Sequence, residues 1–140
     1  MVESRLDDGA VRQGESDKET MLIRNLTVHG FKSIMQEQPI ELGRVNCFIG
    51  ANGVGKSNLL EALGVLGAAA NGVVDDESLL RRGVRAGVPR LYKSSFASVR
   101  TPVHIGINVS GERGECYRVS LLNPLESPEP AWAYKTEYLS

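Results

Sequence analysis

Eight consecutive residues, Gly50-Ala51-Asn52-Gly53-Val54-Gly55-Lys56-Ser57, have the types and the spacing to hold a nucleoside triphosphate. They match G-x-x-x-x-G-K-[ST], the phosphate-binding P-loop or Walker A motif. A triphosphate is a dense anion, and the first turn of a helix offers it unpaired N–H groups with the positive end of the helix dipole behind them. Gly50, Gly53 and Gly55 carry no Cβ, so the loop can take positive φ and bring its amides close to phosphate oxygens. Lys56 is expected to reach the β- and γ-phosphates, and the Ser57 hydroxyl to be a ligand of Mg²⁺. The candidate ATP contacts are therefore Gly50, Ala51, Asn52, Gly53, Val54, Gly55, Lys56 and Ser57, with Asn58 directly after them. A glycine-rich turn before an ordinary helix would explain the glycines but not the Lys-Ser pair.

Such a loop works only between a strand and a helix. Val45-Asn46-Cys47-Phe48-Ile49 is apolar enough to predict a buried central strand before it. After it, Leu59, Ala62, Leu63, Leu66 and Ala70 fall on one side of a predicted helix, and Asn71-Gly72 supplies its stop. Upstream, Leu22, Arg24, Leu26 and Val28 alternate as a strand does, and Gly30-Phe31-Lys32-Ser33 turns the chain. Ile34 to Leu42 is a weaker strand, and Pro39 within it suits a sheet edge. Downstream, Asp75-Asp76-Glu77 reads as the acidic start of a short helix ending at Arg81-Arg82. Val103, Ile105, Ile107 and Val109 then alternate, Gly111 to Gly114 turns, and Tyr117, Val119 and Leu121 alternate back as a hairpin. A further strand is predicted from Trp132.

The rest of the chain limits the alternatives. Its 140 residues make one domain or part of one. Met1 to Thr20 hold six acidic and three basic residues with no apolar periodicity, which predicts a disordered leader over residues 1–20. A net charge of −1 argues against a generally polyanion-binding surface. Cys47 and Cys116 lack a C-x-x-C partner and read as buried thiols of a reducing compartment. His29 and His104 lack ligand-like spacing, so no zinc site is expected. No signal peptide or long apolar run is present, so a cytoplasmic protein without membrane contact is expected.

Two short strands, a third strand, the P-loop, a helix and then antiparallel strands form an unusual order. It resembles the N-terminal lobe of ATP-binding-cassette (ABC) type ATPases of the structural-maintenance-of-chromosomes and RecF group. It is also similar to bacterial AAA family ATPases of the OLD-like and retron- or phage-defence-associated kind. The resemblance is carried by Leu26-Thr27-Val28-His29-Gly30-Phe31-Lys32-Ser33-Ile34, by Gly43 to Ile49, and by the P-loop running on into Ser57-Asn58-Leu59-Leu60-Glu61-Ala62-Leu63. It implies an α/β P-loop NTPase lobe over residues 21–140, with an antiparallel β subdomain from about residue 102 to 140. It also implies that Lys32 and Ser33 lie by the nucleotide phosphates, and that Asn52 points toward the γ-phosphate or across a dimer interface. Other family motifs are not evident. Val73-Val74-Asp75-Asp76-Glu77 has two apolar residues where a buried Walker B strand wants four, and no glutamine follows Gln38. Walker B, the signature and the catalytic Glu are expected to lie outside these 140 residues.

The leading expectation is thus an ATP-binding lobe that binds Mg·ATP and hydrolyses it only within a complete ATPase. The alternatives are a nucleotide-dependent interaction module that never hydrolyses, and an unrelated P-loop kinase or GTPase. The last is disfavoured because no N-K-x-D motif follows and antiparallel strands fill the C-terminal third. The resemblance implies a second ATPase lobe or homodimer and a nuclease or toxin effector as partners. Arg81 to Arg100 hold six basic residues and no acidic one, which suits either DNA contact or a solvated surface.

Overall fold

The computed structural model describes residues 22–34, 38–85, 87–94 and 101–140. The expected leader, residues 1–20, lies outside them. In chain order the elements are β1 (Ile23–His29), β2 (Ile40–Glu41), α1 (Lys56–Ala70), α2 (Asp76–Leu80), α3 (Pro89–Tyr92), β3 (His104–Gly111), β4 (Cys116–Leu122) and β5 (Ala133–Leu139). The strands form one antiparallel sheet in the order β2-β1-β3-β4-β5.

The alternation in each strand sets the sheet's two faces. Leu26 lies opposite Val109 and Val28 opposite Ile107, while Ile107 and Ile105 lie opposite Val119 and Leu121 of β4. These rows are buried in one core with Leu59, Ala62, Val65, Leu66 and Ala69 of α1. Each large apolar side chain removed from water there contributes about 1.5–3 kcal/mol. Of the expected helix stripe, Leu59, Ala62 and Leu66 are buried and Leu63 is half-buried, but Ala70 is exposed. Gly64 is buried because residues 82–84 cross the helix there. A Cβ on it would meet Val84 Cγ2 at 2.6 Å and the Arg82 carbonyl at 2.9 Å.

The helix stop at Asn71-Gly72 is present, with both amides donating back to Ala68 and Ala69. α2 starts as expected: the Asp75 carboxylate accepts from the Ser78 amide, and the Ser78 hydroxyl accepts from the Asp75 amide. Of the Ile34–Leu42 stretch only Ile40–Glu41 is strand, on the edge of the sheet, and residues 35–37 lie outside the described set. The C-terminal hairpin joins the strand that opens the described fold, because β3 pairs along most of β1. α3 has no counterpart in the sequence reading. It seats Tyr92 against Phe31, with ring centroids 6.4 Å apart, and against Trp132, 5.8 Å away.

The expected central strand does not form. Val45–Ile49 is not a strand, and Val45 and Ile49 are each 91% exposed. Cys47 is exposed with them rather than buried, while Cys116 is half-buried. The physical reason is the sheet order. The five described strands pair in the order β2-β1-β3-β4-β5, and residues 45–49 pair with none of them. The apolar composition of this segment is that of a strand that needs neighbours to bury it.

Candidate functional site

The P-loop leads into α1 as the motif requires. Gly53 and Gly55 have φ of 90° and 95°, the left-handed region that residues with a Cβ rarely enter. Gly55 is the N-cap and has no side chain to cap α1, and the first turn carries no acidic residue. The leading N–H groups of α1 thus meet no capping side chain, which leaves them suited to an anion. Gly50 to Val54 and Ser57 are exposed. Lys56 Nζ curls over the loop and donates to the carbonyls of Gly50 and Ala51, at 2.6 Å each. Beside the loop lies a pocket of about 720 Å³, bordered by Ser33, Gln38, Phe48, Val54, Gly55 and Lys56.

The turn after β1 reaches the same place. Phe31 and Ile34 exchange backbone hydrogen bonds, and Lys32 takes a positive φ of 50° between them. This sets Ser33 Oγ against the loop, 2.8 Å from where a Cβ on Gly55 would lie. The same hydroxyl accepts from Asn58 Nδ2 at 2.7 Å. Ser33, Gly55 and Asn58 are therefore brought together. Lys32 is placed differently. Its ammonium pairs with the Glu61 carboxylate and stands 5.4 Å from the ring centres of both Phe31 and Tyr92.

Glu61 is the residue that the sequence reading missed. It is 5% exposed and also accepts from Arg85 Nε at 2.6 Å and from the Arg85 amide at 3.2 Å. Burial alone would push its carboxyl up, but the hydrogen bonds from Lys32 and Arg85 outweigh it and hold the group below the usual range. Arg85 extends to Asn58 Oδ1 at 3.4 Å, and its carbonyl accepts from the Tyr92 hydroxyl at 2.8 Å. Glu61 lies off the stripe that periodicity marks as buried, so only the packing of residues 82–85 against α1 reveals it.

Four basic residues of the Arg81–Arg100 stretch are engaged within the fold, and two of them sit beside α2, where Arg81 pairs with Glu77 and Arg82 donates to the Ser78 carbonyl at 2.9 Å. Arg85 is held on Glu61, and the buried Lys93 donates to the carbonyls of Val103 and Asn123 at 2.9 and 2.7 Å. Arg100 lies outside the described residues. Asp75 is occupied as a cap, and the Ser78 amide hydrogen bond is the main reason its carboxyl is held below the ordinary range. Among the described residues no helix is long and apolar enough to cross a membrane.

A glycine loop opening on an uncapped helix start, with Lys and Ser in its first turn, is the architecture of a P-loop NTPase. Residues 45–134, more than half of the chain, match the family described as "AAA domain, putative AbiEii toxin, Type IV TA system". The chain belongs to this AAA-domain family and is RecF-like within the ABC-type ATPases. It is 31% identical over 111 residues to the DNA replication and repair protein RecF of Renibacterium salmoninarum, covering 78% of this chain and 27% of that protein. It is 33% identical over 87 residues to the protein of the same name from Clavibacter michiganensis subsp. michiganensis, covering 61% and 22%. With that of Parabacteroides distasonis it shares 44% identity over 43 residues, covering 31% and 12%. The chain thus spans roughly a quarter or less of the length of these relatives. No solved structure matches it.

Proposed function

We propose that this chain is the ATP-binding N-terminal lobe of a RecF-like ABC-type ATPase. The observation that carries the reading is the left-handed Gly53 and Gly55 backbone leading into the uncapped start of α1. The residues present fit a magnesium-bound triphosphate. Amides from Gly53 to Ser57 would face its phosphates, Lys56 would leave the Gly50 and Ala51 carbonyls for the β- and γ-phosphates, and Ser57 would hold Mg²⁺. Ser33 and Asn58 are near enough to Gly55 to join the phosphate contacts. The placement supports a different role for Lys32, which anchors Glu61 and so fixes α1 behind the loop. Bound magnesium would neutralise charge on the phosphates and orient them.

Turnover is a property of the complete protein in this reading. The groups that activate water and close over the nucleotide would come from a further lobe or a second copy. The relatives are named as DNA replication and repair proteins, which favours coupling of ATP binding to a DNA-directed task. The toxin wording of the family description favours a second reading, a defence-type ATPase working with an effector. Titration with labelled ATP and Mg²⁺ tests the shared core of both. Saturable binding that needs Lys56 is expected, and no binding at all would remove the assignment.

A further inference from the structure

The sheet face away from α1 is polar and carries a groove. In register, His29 of β1 faces Gly106 of β3, Gly106 faces Ser120 of β4, and Ser120 faces Thr136 of β5. One step along, Asn108 faces Arg118. Gly106 adds no side chain to this row, and a Cβ there would meet only the His29 Cβ, at 3.7 Å. Glycine inside a strand weakens it and often marks a place where a ligand comes close. The cavity it leaves measures about 320 Å³.

Two of its lining residues, His104 and Ser120, each hold a buried polar atom, Nδ1 and Oγ, that finds no hydrogen-bond partner among the described residues. Buried polar groups are as a rule satisfied, so two orphans on lining residues of one cavity point to a partner from outside the chain. The sign of that partner follows from the charges. Arg118 and both imidazoles line the groove, with no Asp or Glu among its described lining residues. Burial, and then the positive charges of Lys135 on β5, His29 on β1 and Lys93, hold the His104 imidazole below its ordinary proton affinity. Arg118 in the lining, with no carboxylate facing it there, favours an anion. The groove is lined from different strands, with His104 on β3, Arg118 and Ser120 on β4, and Thr136 on β5. Donors drawn from three strands can address an anion with several oxygens, as phosphate has.

We infer that this groove binds a phosphate oxyanion, free or as a phosphate ester, at a site separate from the Gly50–Ser57 loop. Arg118 supplies the charged donors, and the His104 ring and the Ser120 hydroxyl supply the inner ones.

The chain has two histidines, so His104→Gln alone assigns the imidazole resonances of a ¹⁵N-labelled sample. Titration with inorganic phosphate should move the His104 signals and raise the pH midpoint of that ring. The response should be the same in the Lys56→Ala chain, which separates it from occupancy of the P-loop. Arg118 is exposed, so Arg118→Ala leaves the core intact, and it should weaken the response about tenfold or more. A short oligodeoxynucleotide that moves the same signals and competes with phosphate would assign the site to a nucleic-acid backbone. Phosphate acting alone would assign it to a free anion. His104 signals unmoved by either probe, lost with Lys56→Ala, or moved equally in Arg118→Ala would overturn the site.

Discussion

The side-chain amide of Asn58 donates to the Ser33 hydroxyl at 2.7 Å, joining the first turn of α1 to the turn that ends β1. Ser33 Oγ also presses on Gly55. The left-handed backbone of the phosphate loop is thus held from outside the loop, by a residue 22 positions earlier in the chain. Loops preset in this way lose less freedom when a ligand binds.

Lys56→Ala should lower Mg·ATP affinity on the order of tenfold to a hundredfold, since a charge-assisted hydrogen bond is worth roughly 1.5–3 kcal/mol. Titration of both chains with labelled ATP measures it. Equal affinities would reduce the motif to a turn.

Gly55→Ala should destabilise the chain by about 1–2 kcal/mol from the left-handed φ alone, with a further steric cost against Ser33 Oγ at 2.8 Å. Adding Ser33→Ala should recover only the steric part. Urea denaturation of the single and double variants separates the two. Full recovery in the double variant would mean that the backbone conformation is not left-handed.

Glu61→Ala should cost about 3 kcal/mol or more, because it leaves the Lys32 ammonium without its buried partner. A carboxyl held below its usual range stabilises the fold above its unfolded value and loses that contribution as pH falls through its folded value. The urea midpoint should therefore drop on acidification below about pH 4.3, and Glu61→Gln should flatten that dependence. An unchanged slope in Glu61→Gln would argue against the Lys32–Glu61–Arg85 arrangement.

Asp75→Asn should leave ATP affinity and its magnesium dependence unchanged, since Asn also caps helices well. Asp75→Ala should shorten α2, visible by circular dichroism, again without affecting nucleotide binding. Loss of magnesium-dependent binding in Asp75→Asn would instead make Asp75 a Walker B carboxylate.

Val45 and Ile49 are each 91% exposed on a segment outside the sheet, so the chain should self-associate as its concentration rises. Val45→Ser with Ile49→Ser should suppress this in sedimentation velocity. Identical behaviour of both chains would place the association elsewhere.

The P-loop, α1 with its Asn71-Gly72 stop, the Asp75 start of α2 and the β3–β4 hairpin were legible in the sequence. Each depends on spacing within a few residues: a glycine pattern, a 3.6-residue stripe, a cap three residues from its partner, a two-residue alternation. Four features were decided only by tertiary structure. β1 lies beside β3, some eighty residues later. Val45–Ile49, apolar enough for a central strand, lies outside the five-stranded sheet. Lys32 pairs with the buried Glu61 of α1. Glu61 itself is buried because residues 82–85 cross α1 at Gly64 and bring Arg85 to it. Which distant segments meet depends on burying a shared core, and local periodicity does not specify those meetings.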